Sequence, residues 1–535
     1  VTAGAVVEGL TVGRGAGADY SNTALGASAL SNNSGGNQNI AVGTQTLIAN
    51  TSGYSNAGAG YFALRSNTTG SGNVAFGTES LWLNTTASNN TAIGRSALQA
   101  NTTASYNTAV GYQAFYSNTV AAGGVAVGYQ AGYSQTTPDR NVAIGYQAMY
   151  SNVTGGNSVA IGWKAAYTSS DIDQSVAVGA SALTNNTTGD SNTAIGASAL
   201  SSNTTASNNT AVGYQAGYLN TTGTRIAFLG FKAGYENTTG SENVAMGAYS
   251  FLENTTGSAN TALGDAALNA NTTASNNTAV GSESLKVNTT GAANTALGKQ
   301  SLWSNTTASS NTAVGYQAGY SNTIGEANTI VGSLALDNST TASYNSAFGA
   351  GAMGSTTTGS ENSSFGFWSM LNNSTGTKNT VFGNEALRFN TTASYNTAVG
   401  YQAGYANTTG ADGTFVGYRA GYNTTTGSIN AAVGNQALLS NTTGIGNTAI
   451  GTYAGQAATT ADGNTFIGYA AGYSTTTGTR NTFVGPRSFV GGGAGADVTT
   501  GSKNTIIGGY SGNQLGLDIR TASNHIVLSD GDGNP

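Results

Sequence analysis

The chain lacks the residues on which most catalytic and metal sites depend. Its 535 residues include no cysteine and one histidine, His525. Disulfides, cysteine- and histidine-based metal sites, and most nucleophile–histidine triads are therefore excluded. The acidic residues are dispersed, and Asp530 and Asp532 in their glycine-rich segment are a weak signal for calcium. We expect a protein that is not an enzyme and that uses no cofactor or metal ion.

Charge, proline and long apolar runs are also scarce. Only 7% of the residues are charged, against roughly 25% in ordinary soluble domains. The formal net charge of -6 predicts no basic surface for nucleic acid. No apolar run approaches a membrane span, so we expect no membrane insertion. Three prolines beside 79 glycines exclude collagen and keep proline away from sheet hydrogen bonding.

Glycine is abundant, and it recurs at a fixed spacing. Every seventeenth residue from Gly26 to Gly485 is glycine, through 28 consecutive positions. A constant period without insertions is typical of stacked repeats, because each turn rests on the preceding one. The first ten of these predicted corner glycines are Gly26, Gly43, Gly60, Gly77, Gly94, Gly111, Gly128, Gly145, Gly162 and Gly179.

One repeat predicts a strand, a tight glycine corner and turns. Residues 90–106 read N-T-A-I-G-R-S-A-L-Q-A-N-T-T-A-S-Y. Alternation around Thr91 and Ile93 indicates a strand, and the pair Ala97-Leu98 predicts a second short strand. The Asn-Thr-Thr segment predicts a longer turn, in which Asn and Gly can adopt positive φ. The predicted fold is all-β, a parallel β-solenoid (β-roll) of 17-residue rungs, which at about 4.8 Å per rung would extend roughly 130 Å.

Two asparagine positions recur in each repeat and predict amide ladders. In-register stacking places identical side chains above one another, and buried amides are satisfied only if the register is kept. This requirement is a physical reason for the constant period. The predicted ladder residues are Asn90, Asn107 and Asn141 at the first position of the repeat, and Asn84, Asn101 and Asn407 at the twelfth.

Aromatic residues one and five places after the glycine are the candidates for contacts with other molecules. Exposed rings could bind glycans or a partner fibre, because each offers an apolar face and a polar tip. The alternative is an aromatic ladder that stiffens a shaft or a trimer seam. The candidate residues are Tyr112, Tyr116, Tyr129, Tyr133, Tyr146, Tyr150, Trp163 and Tyr167.

Each rung is too thin to bury a large core by itself. An Ala- and Gly-rich sheet face suits close packing against another copy, so we expect a parallel homotrimer joined through that face. The period changes near both ends, which predicts three regions: a cap or junction at 1–21, a regular shaft at 22–490 and an irregular end at 491–535. The run Gly491-Gly492-Gly493 opens that last region.

Several segments resemble known fibre repeats. The segments 157–162 (N-S-V-A-I-G) and 175–179 (S-V-A-V-G) resemble the head repeat of trimeric autotransporter adhesins, which implies a left-handed parallel β-roll that assembles as a trimer. That family's usual repeat is shorter. The unit 311–322 more closely resembles repeats of tail-fibre and other virion fibre proteins of marine and cyanobacterial phages, and 10–17 and 524–530 are similar to the flanks of those arrays.

The resemblance implies the shaft of a phage tail fibre or virion appendage that presents a host-binding tip. Its partners would be further copies of itself, other virion or fibre proteins and, as a further candidate, host-surface glycans. The alternative is a bacterial cell-surface trimeric adhesin or extracellular filament that binds through its tyrosine-rich side. A minor alternative is an ice-binding solenoid, although that function needs Thr-x-Thr on a flat strand, whereas pairs such as Thr102-Thr103 lie in a predicted turn. Location would be the virion or the cell surface.

The Asn-Thr-Thr triplets, as at Asn101 and Asn305, also match the N-glycosylation acceptor pattern. The predicted turn requires the same residues, which accounts for the triplets without glycosylation.

Overall fold

The computed structural model describes residues 5–7, 10–16, 20–487 and 492–534. It divides into two compact units, Val1–Asp265 and Ala266–Pro535. Each unit is an all-β parallel solenoid with 17-residue rungs, and its described residues contain strands and turns but no helix. Parts of the predicted end regions 1–21 and 491–535, including Gly491, lie outside the described residues.

The first unit begins with an antiparallel pair, β1 (Ala5–Val7) and β2 (Leu10–Gly13), and β2 also pairs antiparallel with β3. From β3 to β16 each strand pairs in parallel with the next strand, 17 residues further along, as Thr91 does with Thr108. These strands are β3 Thr23–Leu25, β4 Ile40–Val42, β5 Ala57–Ala59, β6 Val74–Phe76, β7 Thr91–Ile93, β8 Thr108–Val110, β9 Val125–Val127, β10 Val142–Ile144, β11 Val159–Ile161, β12 Val176–Val178, β13 Thr193–Ile195, β14 Thr210–Val212, β15 Ala227–Leu229, β16 Val244–Met246 and β17 Thr261–Leu263.

The second unit repeats this parallel pairing and becomes irregular at its C-terminal end. Thr482 pairs with Thr505, a step of 23 residues, and Thr505 pairs with Ile526, a step of 21, with a small antiparallel pair in the 21-residue connection. The strands are β18 Thr278–Val280, β19 Thr295–Leu297, β20 Thr312–Val314, β21 Thr329–Val331, β22 Ser346–Phe348, β23 Ser363–Phe365, β24 Thr380–Phe382, β25 Thr397–Val399, β26 Thr414–Val416, β27 Ala431–Val433, β28 Thr448–Ile450, β29 Thr465–Ile467, β30 Thr482–Val484, β31 Thr505–Ile507, β32 Asn513–Gln514, β33 Leu517–Asp518 and β34 Ile526–Leu528.

A regular rung contains one strand, so the predicted second strand at Ala97-Leu98 is wrong. These residues lie in a turn, in which Ser96 (φ 56°) and Leu98 (φ 49°) are left-handed. Left-handed residues at alternate positions curl the backbone and prevent an extended strand. Backbone bonding between rungs nevertheless continues through the turn, where the Leu98 N–H donates to the Ala114 carbonyl over 3.0 Å.

The positive φ values predicted for the asparagine and glycine of the Asn-Thr-Thr-Gly segment occur at other residues. In the segment that starts at Asn67, neither Asn67 nor Gly70 has positive φ, whereas Asn89, just before the first asparagine of a rung, does (φ 59°). The corner Gly94 has φ 133°, and a Cβ there would lie 2.4 Å from the Gly111 carbonyl oxygen of the next rung. The corner therefore requires glycine for both its conformation and its close approach to the next rung.

The core of each rung is small and apolar. Ala92 in the strand, with Ala97 and Leu98 in the turn, is fully buried. The prediction that an alanine-rich face is free for assembly is therefore wrong for the alanines, because they point into the rung of their own chain. The strand instead presents its outer residues to solvent, with Thr91 half-buried and Ile93 42% exposed.

Core volume is conserved by compensating substitutions between rungs. Several rungs have glycine where Leu98 stands, and in those places a larger residue enters from a strand. A Cβ added at Gly404 or Gly421 would lie 2.8 or 2.2 Å from the ring of Phe415, which occupies the space between them. The same arrangement surrounds Phe228 (Gly217 and Gly234) and Phe466 (Gly455 and Gly472).

Candidate functional site

The first-position asparagines connect each rung to its neighbours mainly through backbone groups. The Asn90 side chain accepts a hydrogen bond from the Asn107 backbone N–H over 2.9 Å and donates to the Ala104 carbonyl over 2.9 Å. Gly124 separates Asn107 from Asn141, and its N–H donates to the Asn107 side chain over 2.8 Å. Asn90 and Asn107 are thus brought together, whereas Asn141 lies beyond an interruption.

The twelfth-position asparagines form an amide column of side chains, which is continuous from Asn33 to Asn101. The Asn101 Nδ2 donates to the Asn84 Oδ1 over 2.8 Å, and Asn84 donates to Asn67 over 2.8 Å. Asn101 also donates to the Ala104 carbonyl three residues on, and its side chain is completely buried. The acceptor asparagine of this glycosylation triplet is therefore inaccessible in the folded rung. Asn407 lies in a separate column of the second unit, where it donates to Asn390 over 3.3 Å.

This amide column leaves unsatisfied buried atoms at several of its interruptions. The Asn101 Oδ1 has no partner, because the Asn118 amide bonds only within its own Asn118–Ala121 turn. In the second unit the Asn322 Oδ1 and the hydroxyls of Ser339 and Thr356 are also buried without partners. A hydroxyl at this position is not always without a partner, since the Thr475 hydroxyl donates to the Val498 carbonyl over 3.1 Å.

The candidate tyrosines form two columns in the first unit, one exposed and one half-buried. Tyr112, Tyr129 and Tyr146 stack with ring centroids 5.2 and 5.0 Å apart and planes inclined by 14° and 7°. The second column stacks equally closely, with centroids 5.0, 5.0 and 5.3 Å apart, and contains Tyr116, Tyr133, Tyr150 and Tyr167.

Stacking determines which part of each ring faces solvent. Neighbouring rings cover the faces of Tyr129 and Tyr133 above and below, so mainly ring edges and hydroxyls remain available to a ligand. Among the described residues no stacked pair joins Tyr146 to Trp163, which is 51% exposed. Burial, followed by the neighbouring Tyr116 and Tyr150, raises the pKa of the Tyr133 phenol above its ordinary value. This phenol is therefore neutral at physiological pH.

A glutamine column between the two tyrosine columns was not predicted from the sequence. The Gln130 Nε2 donates to the Gln113 Oε1 over 2.9 Å, and Gln147 donates to Gln130 over 3.0 Å. The next rung has Lys164 at this position, with its ammonium 4.9 Å from the ring centroids of both Trp163 and Tyr167. The signal in the sequence was the recurrence of glutamine two residues after the corner glycine.

In the second unit, the column at the same position of the repeat has a carboxylate at its first member and a guanidinium at its last. Gln402 donates to Glu385 over 2.7 Å, and the Arg419 Nε donates to the Gln402 Oε1 over 2.9 Å. Each member donates to the residue 17 positions earlier, so the first member needs only to accept and the last only to donate. A carboxylate and a guanidinium meet these two requirements.

The outer strand face carries threonines whose hydroxyls are free. Within the described residues, no protein group hydrogen-bonds to the side chains of Thr295, Thr312 or Thr329, which occupy successive strands. By contrast, the Thr306 hydroxyl in the Asn-Thr-Thr segment donates to the Thr323 carbonyl of the next rung over 3.1 Å. The strand threonines therefore form a column beside the aliphatic residues Leu297, Val314 and Val331, whereas the first threonine of a triplet, such as Thr306, is part of the bonding between rungs.

By this geometry, each unit belongs to the class of parallel β-solenoid repeat proteins. No protein-family model matches the chain, and no curated protein matches it. No group of three His, Cys, Asp or Glu side chains suited to a metal ion occurs in the parts of the chain that the structure describes. No helix there is long and apolar enough to cross a bilayer.

Proposed function

We propose that this chain is a structural fibre shaft of a phage tail fibre or related virion appendage, which holds a host-binding tip away from the particle. The observation that carries the proposal is the 17-residue register, which continues from β3 to β17 in the first unit and from β18 to β30 in the second. Neighbouring regular rungs are bonded through their strands and turns and, over most of the described part of each unit, through buried asparagines, as Leu98 and Asn101 illustrate. Such bonding resists bending and local unfolding, and no chemistry is required of the chain.

The proposed assembly is a parallel homotrimer joined through the outer strand faces. In the first unit Ile93, Ile161 and Ile195, at the same position of β7, β11 and β13, are each about two-fifths exposed. Burial of apolar surface stabilises association by about 25 cal/mol per Å², and closed cyclic symmetry would cover the face in every copy. The strand face replaces the alanine-rich face as the proposed seam.

The native mass in solution tests the assembly. Light scattering should give three times 53.1 kDa. Replacing Ile161 and Ile195 together by lysine should yield monomers, because charge at a buried seam is costly. A matched variant, Thr103→Lys on an exposed turn, should remain trimeric. A monomeric wild-type chain would overturn the trimer.

The location of the chain tests the virion assignment. Antibodies raised against the purified chain should label fibres on virus particles by immunogold electron microscopy. Labelling of cell surfaces without particle labelling would favour the alternative, a trimeric adhesin or extracellular filament whose tyrosine columns contact other surfaces.

Ice binding is a minor second candidate, and one observation favours it. The free hydroxyls of Thr295, Thr312 and Thr329 repeat at one position of successive strands, although each strand carries a single threonine and not the Thr-x-Thr of an ice-ordering array. Thermal hysteresis and ice recrystallisation in solutions of the purified chain would test it. Unaltered ice growth would exclude this function.

A further inference from the structure

The second tyrosine column brings four phenols into successive contact. Tyr116, Tyr133, Tyr150 and Tyr167 are half-buried, with centroids 5.0 to 5.3 Å apart and planes within 20° of parallel. The equivalent pair Tyr405 and Tyr422 in the second unit stacks at 4.9 Å and 2°.

We propose that these columns are sites of oxidative cross-linking, at which a peroxidase-type oxidant joins the tyrosines of consecutive rungs through a carbon–carbon bond. Each of two phenols gives up one electron and one proton to become a phenoxyl radical. The radicals couple at their ortho carbons, and the two ortho protons move to the phenolic oxygens as both rings become aromatic again. Hydrogen peroxide accepts the two electrons and two protons and leaves as two molecules of water.

Proximity favours coupling inside a column over coupling elsewhere. Two radicals on neighbouring rungs are already within about one ring diameter, so their reaction does not require diffusion of separate chains, and such preorganisation is worth several orders of magnitude in rate. Partial exposure of Tyr133 and its neighbours admits an oxidant and leaves the rings free to tilt until their ortho carbons meet. The chain has no cysteine, so it cannot form disulfides between rungs.

Exposed tyrosines that are not stacked serve as controls for the stacked tyrosines of the columns. Tyr106 and Tyr344 are 68% and 65% exposed, more than the column tyrosines, but no aromatic ring lies against either of them in the described residues. If exposure alone controlled oxidation, these tyrosines would react most. If stacking controls coupling, they should stay out of the intrachain products.

The test oxidises the intact chain with a haem peroxidase and hydrogen peroxide at neutral pH. We expect dityrosine fluorescence whose yield per chain is independent of protein concentration. Mass spectrometry should find peptides joined at residues 17 apart, chiefly Tyr116 with Tyr133 and Tyr133 with Tyr150.

Variants separate the column from general tyrosine oxidation. Tyr133→Phe keeps a stacked ring but cannot form a phenoxyl radical, so it should abolish both of those products and retain the Tyr150–Tyr167 product. Tyr106→Phe is the matched control and should change none of them. Coupling that scales with protein concentration, products that include Tyr106 as often as Tyr133, or an unchanged pattern in Tyr133→Phe would each overturn the proposal. These results do not depend on whether the chain is a virion fibre.

Discussion

The buried asparagine columns and the surface tyrosine columns both stack identical side chains one rung apart. The loss of one member has different consequences in the two kinds of column. In the interior, Asn220 is fully buried and bonds to Asn203 below and Asn237 above over 3.0 and 2.8 Å. On the exterior, Tyr129 also has a ring above and below, but it is 42% exposed. Water can solvate an exposed phenol when a neighbour is lost, whereas a buried amide has no substitute partner.

The interruptions of the columns show this difference directly. Replacing asparagine by serine or threonine in the buried column leaves unpartnered atoms at Asn322, Ser339 and Thr356. The exposed column changes from Tyr146 to Trp163 with no such consequence, because both side chains reach solvent. A repeat can therefore vary on its surface at little cost, but its interior requires the same residue, or a compensating pair, in adjacent rungs.

Removing a large side chain from the apolar core should reduce the stability of the chain more than any other change. Phe415→Ala leaves a cavity between Gly404 and Gly421, and such a change costs about 3–5 kcal/mol. We expect a lower urea midpoint and faster amide hydrogen exchange in β25 to β27. Adding Gly421→Leu should recover much of the loss, because Leu98 shows that leucine adopts this left-handed conformation when no phenylalanine fills the space. A double variant no more stable than Phe415→Ala would contradict this volume compensation.

Breaking the amide column should have the next largest effect. Asn220→Ala removes the donor to Asn203 and the acceptor for Asn237, and each buried group left unsatisfied costs about 1–3 kcal/mol. Hydrogen exchange should accelerate in the rungs on both sides. Thr222→Ala, on the exposed turn of the same rung, is the control and should change stability by less than about 0.5 kcal/mol. Equal effects of the two variants would remove the distinction between interior and exterior.

Repairing the column should stabilise the second unit. Ser339→Asn places an amide where it can donate to the unpartnered Asn322 Oδ1, and we expect a gain of about 1–2 kcal/mol. Thr341→Asn adds the same side chain on the exposed turn and should have almost no effect. The measurement is the urea midpoint, and a loss of stability in Ser339→Asn would show that the rung cannot accommodate the amide.

Interrupting a tyrosine column should cost less. Tyr133→Ala removes two stacked pairs, each worth about 0.5–1.5 kcal/mol at most, and exposure reduces this further. Tyr133→Phe keeps both pairs and should be nearly neutral in thermal unfolding. A loss for Tyr133→Ala as large as that for Asn220→Ala would mean that the exterior column is as necessary as the interior one.

The smallest change in stability should come from ionisation of the Tyr133 phenol at alkaline pH. The raised pKa of Tyr133 means that the folded chain retains a proton that the unfolded chain releases near pH 10. Stability should therefore fall as pH rises from about 10 through the folded-state pKa, and the fall should be shallower in Tyr133→Phe. Absorbance titration of the phenols, wild type against variant, identifies the late-titrating group. A Tyr133→Phe stability profile as steep as wild type would assign the fall to other groups.

The sequence predicted the features that depend on the period alone. A glycine at every seventeenth position indicated parallel, in-register strands, as in the pairing of Thr91 with Thr108, and recurrent asparagines placed Asn84 and Asn101 in one column. Recurrent tyrosines likewise placed Tyr116 above Tyr133. These relations follow because equal spacing superimposes equal residues in any regular stack.

The direction in which each side chain points depended on the tertiary structure. Left-handed residues such as Ser96 and Leu98 curl the Ala-Leu segment into a turn in which Ala97 and Leu98 are buried, whereas Ala92 and Ile93 alternate between core and solvent in the strand. Alternating apolar residues could not show this, because period-two patterning assumes an extended backbone. The sequence by itself determined which residues stack on one another, and only the three-dimensional path of the rung decided which columns are buried, because a thin loop can curl either face toward its core.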